Sequence, residues 1–166
     1  TMSAYPIPNA ALDDRLAIVG TSGSGKTYAA GTAVERLLAS GGKVVIVDPL
    51  DVWYGLRVKP NGKDPAFPVV IFGGAHGDLP LTEAAGALIG QAVATMSESC
   101  VVALADLGSK AAERRFMLAF LETLYRQASG EPVHLIFDEA DLWAPQRSSE
   151  PQLQALMENI VRRGRV

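Results

Sequence analysis

Five short apolar runs punctuate this chain, separated by longer stretches whose apolar residues recur at helical spacing. The runs are RLAIVG (15–20), KVVIVD (43–48), FPVVIF (67–72), CVVALAD (100–106) and VHLIFD (133–138). Continuous apolar runs of this kind, without polar alternation, suit parallel strands buried on both faces. From Lys26 to Ser40, the residues Ala29, Ala30, Ala33, Val34, Leu37 and Leu38 fall at three-and-four spacing, and Gly41-Gly42 ends the helix. Residues 82–98 and 109–129 repeat that periodicity, the second with Ser109 as N-cap. Ser149-Glu-Pro-Gln152 is a capping-box pattern that opens a last helix, with Leu153, Leu156, Met157, Ile160 and Val161 facing inward. Alternation of strands and helices predicts a three-layer α/β domain with a mainly parallel sheet. The turn-rich segment 57–68 is expected to be a surface loop or hairpin.

The chain reads as one domain, 1–166, with residues 1–8 irregular. The pattern stops straight after a helix, where a further strand is expected. The reading is therefore of a domain truncated at its C-terminus, its last strand or strands missing from this chain. A composition of 48% hydrophobic and 20% charged residues is globular rather than disordered. A net charge of -3 argues against a nucleic-acid-binding surface overall, while leaving a local patch open. Cys100 has no partner in the chain, which excludes an intrachain disulfide and a cysteine zinc site; it reads as a small buried hydrophobe. No apolar run reaches ~18 residues and no signal peptide is visible, so a cytoplasmic protein without a membrane partner is expected.

The stretch Gly20-Thr-Ser-Gly-Ser-Gly-Lys26-Thr27 fits G-x-x-x-x-G-K-[ST] without a mismatch. It lies between an apolar run and an amphipathic helix, where backbone N–H groups without helical partners and the helix dipole favour an anion. Gly23 and Gly25 supply the positive φ angles that a phosphate cradle demands. Thr21, Ser22, Gly23, Ser24, Gly25, Lys26, Thr27 and Tyr28 are the candidate nucleotide-binding residues. Lys26 would reach the β- and γ-phosphates, and the Thr27 hydroxyl would coordinate Mg²⁺.

In VHLIFDEAD, Asp138 leaves the last apolar run at the carboxyl end, where open α/β sheets bind ligands. Asp138 is expected to hold Mg²⁺ through water, and Glu139 to polarise an attacking water; the alternative for Glu139 is a solvated or capping loop acid. Asp141 reads as a surface or capping acid. Arg162, Arg163 and Arg165 form the one dense basic cluster. They provide favourable charge at a helix C-terminus, or one of them completes a neighbouring subunit's site as an arginine finger. Asp106 is either a phosphate or metal sensor or a simple turn acid. Asp48 and Asp51 sit at another strand exit, with Trp53 and Tyr54 packing the loop down. His76 and His134 lack metal-ligand partners at useful spacing and read as structural. Lys59 and Lys63 are expected to be solvated.

Taken in order, VGTSGSGKT, VVIVDPLDVWYGLR, VVALADLGSKAAERRFMLAFLETLY, LIFDEADLWAP and VRRGR resemble the HerA/FtsK group of P-loop ATPases, HerA-like proteins in particular. The resemblance implies a RecA-like fold of the additional-strand type, with ATP and Mg²⁺ as cofactors. It also implies a hexameric homo-oligomer that hydrolyses ATP at subunit interfaces and moves duplex DNA, as a translocase or helicase, often beside a nuclease. In that family a strand carrying a polar sensor follows the arginine-rich helix end. A nucleotide-gated regulatory or assembly module that binds ATP without moving DNA is the alternative. A small-molecule kinase fits less well, since the Glu directly after the metal Asp and the lack of an arginine-rich lid both speak against it.

Overall fold

The computed structural model describes residues 7–21, 23–128, 132–143 and 150–163. Four helices and four strands follow in the order α1 (Lys26–Ala39), β1 (Lys43–Asp48), β2 (Val70–Phe72), α2 (Gly86–Thr95), β3 (Cys100–Ala103), α3 (Lys110–Gln127), β4 (Val133–Phe137) and α4 (Pro151–Arg163). The strands pair in the order β2-β3-β1-β4, and every pairing is parallel. Val45 stands opposite Cys100 on one side and Leu135 on the other.

Both faces of the sheet are covered. Val44 and Ile46 of β1, Ile71 of β2 and Val101 of β3 point to one face, where Val34 and Leu37 of α1 meet them together with Trp53 and Leu56. Val45, Val47, Phe72, Cys100 and Val102 point to the other, against Phe116, Met117, Phe120 and Leu121 of α3, Ile89 and Val93 of α2, and Leu153 and Met157 of α4. The two-residue period of a strand thus feeds two separate cores. α2 and α3 approach closely because Gly86 and Gly90 carry no side chain: a Cβ on either would lie 2.6 Å from a carbonyl oxygen of α3. Ser109 caps α3, its hydroxyl accepting the Ala112 N–H at 3.1 Å. Burial pushes the Cys100 thiol up to about 12, as expected of a small core residue.

Three expectations change. Residues 15–20 form no strand; Leu16 and Val19 are exposed, Val19 to 88%. An apolar run becomes a strand only when a neighbour completes its ladder, and neither described edge, β2 or β4, pairs with this one. Next, Val161 points outward from α4, whose apolar stripe is Leu153, Met157 and Ile160. Finally, residues 82–98 divide into a 3₁₀ turn, Glu83–Ala85, and α2. The segment 57–68 is a hairpin, closed by an antiparallel bridge between Val58 and Pro65, with Lys59 and Lys63 exposed. Ser149 lies outside the described residues.

Candidate phosphate-binding corner and acidic site

The chain turns a corner between Gly20 and Lys26. Gly23 and Gly25 take φ angles of 75° and 86°, the left-handed region that a side chain disfavours, and Gly25 is the N-cap of α1. The Ser24 N–H bonds the Thr21 carbonyl at 3.2 Å, and the Lys26 ammonium donates to the same oxygen at 3.1 Å. Ala29 is the first residue of α1 whose N–H bonds back to the corner, on Gly25 at 3.0 Å, so the amides of Lys26, Thr27 and Tyr28 are those a helix start leaves for an external acceptor. Thr27 and Tyr28 are exposed and Lys26 is half-buried. Ser22 falls outside the described residues.

The turn Ser40-Gly41-Gly42 joins α1 to β1. Gly42 N–H returns to the Leu37 carbonyl at 2.9 Å, closing α1 just ahead of β1, and Val34 and Leu37 share a core with Val44 and Ile46. A helix of 14 residues is about 21 Å long and a strand of six about 20 Å, so a helix packed back along β1 has the length to return its first turn to the carboxyl end of the sheet. Asp138 leaves β4 at that same end, its N–H bonding the Val47 carbonyl at 3.1 Å. Among the described residues no hydrogen bond or ion pair joins Lys26 to Asp138 or Glu139.

Asp138 is half-buried and fully engaged. Trp53 Nε1 donates to its Oδ2 at 2.9 Å, the Glu139 N–H to its Oδ1 at 3.0 Å, and Trp143 Nε1 to its carbonyl at 3.3 Å. Glu139 is exposed, in left-handed backbone at φ 48°. Beside them Asp48 is completely buried: its Oδ1 accepts from Leu50 N–H at 3.1 Å, and its Oδ2 from Val52 and Trp53 N–H at 2.7 and 2.8 Å. Burial pushes the Asp48 carboxyl above its ordinary range; those amides pull it back, and the charge of Asp138 adds to the rise.

Asp51 and Asp106 follow the ends of β1 and β3, while Arg162 and Arg163 close α4. Asp106 accepts the Gly74 N–H, 32 positions away, at 2.8 Å. Asp51, at φ 55°, accepts the Ala75 N–H at 2.9 Å. Tyr54 stacks on His76 with ring centroids 3.6 Å apart. Asp141 is exposed. Arg162 pairs with Glu158 one turn back at 3.9 Å, while its carbonyl accepts from Arg15 at 2.9 Å. Arg163 is exposed at the end of α4, and Arg165 lies outside the described residues. Sequence reasoning missed the indole of Trp53 as a partner of Asp138. The only signal was an Asp followed five positions later by Trp at a strand exit, which does not name the recipient.

Among the described residues no group of three or more His, Cys, Asp or Glu could cage a metal. The donor set suits Mg²⁺ nonetheless, because that ion takes one or two protein oxygens and fills its octahedron with water and phosphate. Asp138 and the exposed Thr27 hydroxyl are donors of that kind. No helix among the described residues is long and apolar enough to cross a membrane.

No curated protein and no solved structure gives a significant match to the chain. Residues 5–73, less than half of it, match the family model described as helicase HerA, central domain. The matched stretch contains the corner, α1, β1, the Trp53 turn and β2, while Asp138 and Glu139 lie outside it. Over that stretch the chain is similar to the central domain of the HerA helicases, and its all-parallel sheet is consistent with a P-loop ATPase of that general type.

Proposed function

We propose that residues 21–28 bind the phosphates of ATP and that Glu139 promotes attack of water on the terminal one. The observation that carries this reading is the corner itself: Gly23 and Gly25 in left-handed backbone directly ahead of α1, whose first amides have no helical partner, in a chain whose Asp138 follows the carboxyl end of β4. The amides of the corner and the Lys26 ammonium bind the phosphate oxygens, Lys26 exchanging the Thr21 carbonyl for the β- and γ-phosphates. Thr27 and Asp138 would hold Mg²⁺, which when bound neutralises charge developing on the phosphates. Glu139 orients the water and takes its proton.

The finer reading is a ring, most simply a hexamer, in which Arg163 or Arg165 of one subunit completes a neighbour's site and ATP turnover moves duplex DNA, with a nuclease as a possible companion. The setting is the cytoplasm. ATPase rate of the full-length protein with and without duplex DNA tests it, together with sedimentation in the presence of MgATP. DNA-stimulated turnover by a ring is the expected result; absence of both stimulation and assembly overturns the motor. A regulatory module that only binds ATP predicts instead that Glu139→Gln keeps biological activity while Lys26→Ala abolishes it. The chain's net charge of -3 is what keeps that second reading in play.

A further inference from the structure

We infer that Trp53 is a positioning residue for Asp138, a role that rests on the proposed assignment of Asp138 to the metal. The two residues are 85 positions apart in the chain, yet Trp53 Nε1 lies 2.9 Å from Asp138 Oδ2. The indole cannot drift. Its ring is buried in the cluster that holds Val44, Ile46 and Val101, and its backbone N–H is fixed on the buried Asp48. Asp138 Oδ1 is meanwhile taken by the Glu139 N–H, so both carboxylate oxygens have assigned donors and the plane of the group is set. Each oxygen keeps a lone pair for a metal-bound water.

The wiring runs from the end of β1 through Asp48 and Trp53 to the end of β4. Two adjacent strands thereby fix one carboxylate more tightly than its own backbone alone would. Donors of this kind around a metal-associated carboxylate typically govern metal affinity by 10- to 100-fold. Trp53 is also the only described side chain that donates to the Asp138 carboxylate, since Trp143 donates to the Asp138 carbonyl instead.

Trp53→Phe keeps an aromatic ring in the slot and deletes the N–H. In the full chain, affinity for ATP is measured with Mg²⁺ and with EDTA, alongside turnover, for wild type, Trp53→Phe and Asp138→Ala. The expected result is loss of about tenfold in the Mg²⁺-dependent part of ATP affinity for Trp53→Phe, with EDTA affinity unchanged. A folded Trp53→Phe protein with the wild-type Mg²⁺ increment overturns the positioning role. If Asp138→Ala also keeps that increment, the metal assignment itself falls; if Asp138→Ala loses it while Trp53→Phe does not, only the positioning role falls. Should Trp53→Phe fail to fold, the ¹⁵N-indole resonance of Trp53 decides: it shifts in Asp138→Ala if the bond exists, and an unmoved resonance overturns the inference.

Discussion

The buried Asp48 carboxylate accepts the backbone N–H of Trp53 at 2.8 Å, so the end of β1 dictates where the following loop presents its indole. The same carboxylate accepts from Leu50 and Val52. Asn in its place keeps one acceptor and turns an NH₂ group toward a donor. Asp48→Asn is therefore expected to destabilise the fold by about 1–3 kcal/mol, the cost of leaving buried donors unpaired. Urea unfolding measures it, and an unchanged midpoint would contradict the role given to Asp48.

Acid pH acts through a different aspartate. The Arg57 guanidinium beside Asp78, helped by the Ile71 N–H at 2.8 Å, holds its carboxyl below the ordinary aspartate range. A depressed folded value means stability that is present above about pH 4 and lost as pH falls through the lower folded value. Asp48 has the opposite sign, since burial raises it: its charge opposes folding above the raised value, and that penalty fades as pH drops. Asp78→Asn should lose less than about 1 kcal/mol at pH 7, because the pair is solvent-exposed, and the difference from wild type should shrink toward pH 3. Paired unfolding curves at pH 7, 5 and 3 check this; a gap that widens on acidification would refute it.

Lys26 makes its only hydrogen bond among the described residues to the Thr21 carbonyl, within its own corner. Lys26→Ala should leave the melting temperature of the ligand-free protein nearly unchanged. It should remove the stabilisation by MgATP, which at a concentration of 100 times the dissociation constant is worth about 2.7 kcal/mol to the wild type. Thermal melts with MgATP and with EDTA compare the two. A mutant that still melts higher with MgATP speaks against phosphate binding at this corner.

How much of this was written in the sequence depends on whether a feature is local. β1 occupies residues 43–48 and α1 residues 26–39, nearly as the apolar pattern predicts, because a buried strand and an amphipathic helix each announce their own period. Gly23 and Gly25 likewise take the positive φ angles that the motif requires. Residues 15–20 carry an equally apolar run and form no strand, since composition specifies burial and not the neighbour that supplies a ladder. Val161 has the spacing of an inward residue, yet the stripe of α4 passes through Met157 and Ile160 and leaves it in solvent. The Trp53–Asp138 bond was the least legible, because it depends on β1 and β4 being neighbours, which no local pattern encodes.

Glu139 sits in the left-handed region, at φ 48° and ψ 52°. For a residue with a Cβ this costs about 1 kcal/mol or more, and Asn tolerates the region better. The conformation is imposed from both sides of the preceding peptide: its N–H is held by Asp138 Oδ1 and its carbonyl by the Trp143 indole. Nothing about the exposed side chain itself favours it. A strained, exposed acid of this kind fits the role proposed for Glu139, in which its conformation is kept for chemistry at some cost in stability. Glu139→Asn should match or exceed wild-type stability by up to about 1 kcal/mol, while ATP hydrolysis falls at least ~100-fold as the base is lost. Unfolding and single-turnover hydrolysis on the same preparation separate the two effects. Were Glu139→Asn less stable than wild type, the strain would be compensated by contacts of the side chain; were it to hydrolyse ATP normally, the base would have to be sought elsewhere.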